Sequence, residues 1–108
     1  MISVLLSFVM MFASPEAYLQ PCNVYGKIYR EQNPGRADYR VFVEDSEAFA
    51  DVLVFVQDNE LYADRAGQWA FVENRSFANV YIYFEKNRNL ADFTIAYTET
   101  ESFAGCNR

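Results

Sequence analysis

The chain has no histidine. That absence removes Ser-His-Asp and Cys-His catalytic sets, together with the common histidine-ligated metal centres. Glycine is scarce, with four residues, and none of them builds the glycine-rich loop that cradles phosphates. Basic side chains are few: nine Lys and Arg stand against fifteen Asp and Glu, for a net charge of −6. No basic patch is available to release counterions from phosphates, so nucleic acid is not expected as a partner, while the acidic balance favours solubility. The two cysteines have no neighbouring base to activate them as nucleophiles.

What is present points to β structure. The 108 residues suffice for one domain, and a hydrophobic content of 52% can fill a core without metals. Ten Phe, eight Tyr and one Trp fit pleated, half-buried surfaces better than a helical bundle.

The first eighteen residues differ in kind from the rest. Ile2 to Ala13 is almost uninterrupted apolar sequence, and Ser14, Pro15 and Glu16 follow at once. This reads as an export signal removed near residue 18. A permanent anchor is the weaker reading, because a spanning helix needs about 20 apolar residues. A segment of this kind places residues 19–108 in the periplasm or outside the cell, as one domain, expected to be monomeric and without a permanent membrane span.

A repeat organises that domain. Ala37-Asp38, Ala50-Asp51, Ala63-Asp64, Ala78-Asn79 and Ala91-Asp92 each introduce an apolar run, at a period of thirteen that stretches to fifteen once. The runs are Tyr39 to Val43, Val52 to Val56, Trp69 to Val72, Val80 to Phe84 and Phe93 to Tyr97, all rich in Val, Ile, Phe and Tyr. They read as strands, each closed by a polar, turn-forming stretch such as Glu44-Asp45-Ser46-Glu47. Each unit ends on a large apolar residue: Phe49, Tyr62, Phe77, Leu90 and Phe103. Val24 to Arg30 has the same strand-then-turn shape, making six strand-bearing units with no room for a long helix. The third unit carries Arg65-Ala66-Gly67-Gln68 ahead of Trp69, which predicts a bulge or wider loop. Val52 to Val56 and Val80 to Phe84 do not alternate with polar residues, so central strands are expected to be covered on both faces. The fold class is therefore all-β: a small domain of six strand-turn repeats.

Cys22 and Cys106 bracket the repeats. A disulfide is the natural reading, two reduced thiols the other. Closing so long a loop would remove denatured-state entropy equivalent to about 4 to 5 kcal/mol.

Taken together, Cys22-Asn23-Val24-Tyr25-Gly26-Lys27-Ile28-Tyr29, the successive Ala-Asp units, Gly67-Gln68-Trp69-Ala70-Phe71 and the ending Ser102-Phe103-Ala104-Gly105-Cys106 resemble the bacterial septoil-knot family. The resemblance spans Cys22 to Cys106. It implies a backbone wound on itself with seven crossings, a topology that repeat spacing alone could never justify. It carries no catalytic residue onto this chain, which departs from the regular pattern at Asn79 and in the enlarged third unit.

Two sets of residues are candidate sites. Asp38, Asp51, Asp64 and Asp92, with Asn79, form a column that could hold a cation such as calcium, as stacked β-repeats do. The competing reading is that each accepts backbone N–H groups where a strand begins, as an Asx turn does. Trp69, Tyr81 and Tyr83 are candidate aromatic contacts for a sugar or partner, against the commoner role of strand aromatics as core. No residue is assigned a catalytic role, and no cofactor is expected. The functional expectation is a non-catalytic, highly stable secreted or periplasmic structural or interaction module. An envelope-glycan or calcium-binding domain is the alternative, and behind it a hydrolase using paired acidic residues.

Overall fold

The computed structural model describes residues 21–107. The expected export signal and its cleavage point near residue 18 lie outside the described residues.

Each repeat folds the same way. The five-residue strands are β1 (Gly26–Arg30), β2 (Tyr39–Val43), β3 (Val52–Val56), β4 (Gln68–Val72), β5 (Val80–Phe84) and β6 (Phe93–Tyr97), with a two-residue β7 (Gly105–Cys106) at the end. Between strands the chain makes one 3-10 turn, as at Glu47–Phe49 or Arg88–Leu90. The turn has a local cause. Asn33, Ser46, Asn59, Asn74 and Asn87 precede successive turns, and each side chain accepts the backbone N–H two residues on. This is an Asx-type cap, in which the side chain satisfies a donor that the short turn leaves unpaired. The following Ala, as in Ala50 or Ala91, closes the turn by donating its N–H to the first turn residue.

The strand order is β4-β1-β5-β2-β6-β3-β7, and β4 also pairs with β3. β1 to β6 therefore form a closed ring of parallel strands. Interleaving is its main feature: β5 sits between β1 and β2, and β6 between β2 and β3. The strands are staggered as well. β5 pairs with β1 through Val80, Tyr81 and Ile82, then with β2 through Ile82, Tyr83 and Phe84. A ring in which each strand gives one half to each neighbour is steeply tilted, which lets short connections return the chain to the starting rim. β7 runs antiparallel, setting Cys106 opposite Val52 and Gly105 opposite Leu53.

Inward-facing residues fill the ring. Ile28, Val41, Val52, Val54, Trp69, Ile82, Phe93 and Ile95 form one buried cluster together with Val24. β3 and β6 are buried on their outer face too, where Leu53 packs with Ala50 and Ala96. This double burial removes the polar alternation from their sequences. The outer face of β5 is half-buried, with Tyr81 donating its hydroxyl to the Arg75 carbonyl at 3.2 Å under the preceding turn. The large residues that end the units, Phe49, Tyr62, Phe77, Leu90 and Phe103, all point outward and are exposed.

Side chains tie the two interleaved passes together at a fixed separation. Glu31 meets Arg75 at 2.9 Å, Glu44 meets Arg88 at 2.7 Å, and Gln57 meets Glu101 at 3.1 Å. In every pair the partners are 44 residues apart. The polar residue just after a strand of the first pass thus always reaches the first residue of a turn in the second.

The enlarged third unit forms a wider loop from Ala63 to Gly67. Gly67 lies in the left-handed region at φ +80°, and a Cβ there would fall 2.7 Å from the Leu53 carbonyl oxygen and strike the Gly105 backbone. Its N–H donates to the Val24 carbonyl at 3.3 Å, and its carbonyl accepts from Phe55 at 2.9 Å. The loop is therefore where the first segment, β3 and the chain end cross, and the extra residues supply the room.

Candidate functional site

Because the six ring strands are parallel, all of them end on one rim. The last inward-facing residues are Arg30, Val43, Val56, Phe71, Phe84 and Tyr97, one from each strand, and together they line an open mouth of about 540 Å³. Among the described residues, these side chains meet no further layer above the packed cluster. Most of the lining is apolar or aromatic, and none of it is acidic.

Arg30 is the single cation of the mouth. Its guanidinium carbon lies 4.0 Å from the Phe71 ring centroid and 5.2 Å from that of Phe84. Cation–π attraction holds it across the opening. Four other arginines behave differently: Arg40, Arg65, Arg75 and Arg88 each reach a carboxylate, whereas Arg36 outside the mouth is in no such ion pair among the described residues. Arg30 reaches no carboxylate among the described residues. Tyr97, also on the rim, has its phenol pushed above its usual 10.0 by burial, with Arg30 beside it pulling the other way.

The residues singled out from sequence fall elsewhere. Cys22 and Cys106 are joined by a disulfide with Cα atoms 4.7 Å apart, pinning the two ends of the repeat region together. The Asp column opens the strands, and its members are spread over different strands. The Asp38 carboxylate accepts the Tyr81 N–H at 2.9 Å, Asp51 that of Thr94 at 3.0 Å, and Asp92 that of Arg40 at 2.8 Å. Asn79 accepts the Lys27 N–H at 2.9 Å in the same manner. The donors are 43 or 52 residues away, so these are contacts between passes, and the local Asx turn belongs to the Asn33, Ser46, Asn59, Asn74 and Asn87 column. The recurrence of Asn or Ser five places ahead of each Asp or Asn of the first column, at thirteen residues with one step of fifteen, was the signal for that second column. Asp64 sits on the wider loop, exposed and beside Arg65 at 3.8 Å. Among the described residues, no three acidic or cysteine side chains gather as metal ligands would.

Trp69 takes a core role: it is fully buried and donates its indole N–H to the Val24 carbonyl at 3.1 Å. Tyr81 and Tyr83 stay half-buried on the outer face of β5, with the Arg75 guanidinium 4.3 Å above the Tyr81 ring. The mouth combines none of these candidates. Its aromatics read in sequence as ordinary strand residues, and only the topology makes them neighbours.

The family model of the 7(1) septoil knot domain matches residues 21–107. The comparisons with curated proteins and with solved structures return no match.

Proposed function

The chain belongs to the 7(1) septoil knot domain family, and from that premise we propose that it is a non-catalytic, long-lived structural or interaction module of an oxidising compartment outside the cytoplasm, with a knotted backbone. The observation that carries this reading is the closure of the fold at two levels. β3 and β1 both pair with β4, so the parallel ring leaves no long open edge, and a disulfide across 84 residues joins its ends. Open edges are where chains fray and recruit other strands, and long disulfide loops restrict the denatured ensemble. The interleaving of β5 and β6 among the earlier strands supports the seven-crossing winding. The disulfide fits an oxidising compartment, and no helix among the described residues is long and apolar enough to cross a membrane.

The test is the rate and midpoint of unfolding in guanidinium, followed by tyrosine and tryptophan fluorescence with and without reductant. Very slow unfolding and a midpoint lowered by reductant are expected. Rapid two-state unfolding at modest denaturant, indifferent to reductant, would overturn the reading.

A further inference from the structure

We propose that the mouth at the strand ends binds a small apolar carboxylate, its hydrocarbon or aromatic body seated among Val43, Val56, Phe71 and Phe84 and its carboxylate held by Arg30. Three observations lead there. First, the opening of about 540 Å³ lies in the size range of small-molecule sites and is lined mainly by apolar groups, with the polar ones confined to one side. Second, the charge is specific. A chain of net charge −6 places one guanidinium in this opening with no acidic residue in the lining. A cation stacked on apolar rings, with Glu73 in the adjoining depression but no ion pair to it or to any other carboxylate of the described residues, selects an anion. Third, the guanidinium is already in position. Stacking over Phe71 and Phe84 occupies its face, and one side of its N–H edge reaches the Tyr97 hydroxyl, so the remaining N–H groups are the ones that can grip a carboxylate. Little side-chain entropy then remains to be lost on binding. The Tyr97 hydroxyl on the same rim offers a further donor, since a phenol is protonated at neutral pH.

The charge favours a small molecule with one anionic group over a polyanionic polymer. The opening is a wide depression floored by the packed cluster, and its single cation provides for one terminal anionic group.

The experiment uses the oxidised full chain, with decanoate below its micellar concentration as probe and decanol as the uncharged control, both by calorimetric titration. One decanoate per chain is expected. Arg30→Gln is expected to weaken decanoate by about tenfold or more, equal to about 1.4 kcal/mol, while leaving decanol unchanged. Val56→Trp, at a rim position 40% exposed, is expected to fill the depression and remove both ligands. Thermal scans establish that each variant is folded. Folded wild-type chain that ignores decanoate would overturn the proposal, and so would an Arg30→Gln variant that binds decanoate as tightly as the parent. Sedimentation showing a dimer that Val56→Trp dissociates and decanoate does not would overturn it too, by assigning the mouth to a second copy.

Discussion

Glu31 shows how much a single side chain contributes here. It is buried beside Arg75, and that hydrogen-bonded pair, more than any other influence, holds its carboxyl below the ordinary 4.5. A carboxylate whose folded pKa is depressed stabilises the fold above its unfolded value, and that contribution is lost as pH falls through the folded pKa. Wild-type stability is therefore expected to drop as the pH is lowered past about 4.5. A Glu31→Gln variant should be less stable at neutral pH and flatter across that acid range, as urea midpoints at several pH values would show. Gly67 makes the opposite kind of contribution, through having no side chain. Its positive φ and the nearby Leu53 carbonyl leave no place for a methyl group. Gly67→Ala is expected to cost roughly 3 kcal/mol in denaturant unfolding, and a loss under about 0.5 kcal/mol would show that the crossing is loose. Some of this could be read from residues alone. The Asp column was visible as a strand-start feature that accepts backbone N–H groups, because Ala-Asp recurs, but its donors were not, since they belong to strands at least 43 residues away and not to a local turn.

At the scale of the element, four of the six expected strands were legible to the residue, while β4 starts one residue before Trp69, β1 starts at Gly26 and not at Val24, and the short β7 was not foreseen. Tyr39 to Val43, Val52 to Val56, Val80 to Phe84 and Phe93 to Tyr97 are strands with those bounds, because dense Val, Ile, Phe and Tyr runs are cut off by turn chemistry on both sides. Strand pairing was not legible, for the same reason: near-identical units offer each strand several equivalent partners. The polar pairs between passes break that degeneracy. Glu31 and Glu44 face Arg75 and Arg88, and where the second pass presents Glu101 the first presents Gln57, whose amide can donate. Gln57→Glu would set two carboxylates against each other, costing about 1 kcal/mol. Adding Glu101→Arg to that variant is expected to restore most of the loss, since it recreates the pairing of the other two rungs. A double-mutant cycle with no coupling between positions 57 and 101 would mean that the rungs do not select register.

For the molecule as a whole, the pairings that close the ring join distant parts of the chain, and such topologies fold slowly because loop closure comes before reward. The mouth belongs to this scale as well. Arg30, Phe71, Phe84 and Tyr97 come from four units, and no pattern within a unit could have announced that they share a rim. The same scale governs the disulfide. With Cys22 and Cys106 joined, nearly the whole domain is a closed loop, and a closed loop cannot change its knot type by unfolding. If the backbone is wound as proposed, denaturant should erase the pairing of the oxidised chain but not its crossings, whereas a reduced chain could lose both and would have to thread again. Chains denatured with the disulfide intact are accordingly expected to refold about tenfold faster or more than chains denatured after prolonged reduction, beyond what shorter loops alone provide. The measurement is stopped-flow and manual-mixing refolding by Trp69 fluorescence, with Cys22→Ala plus Cys106→Ala as the permanently open chain. Equal refolding rates for the oxidised and open chains would mean that no threading step limits folding, and that the interleaved ring assembles without passing an end through a loop.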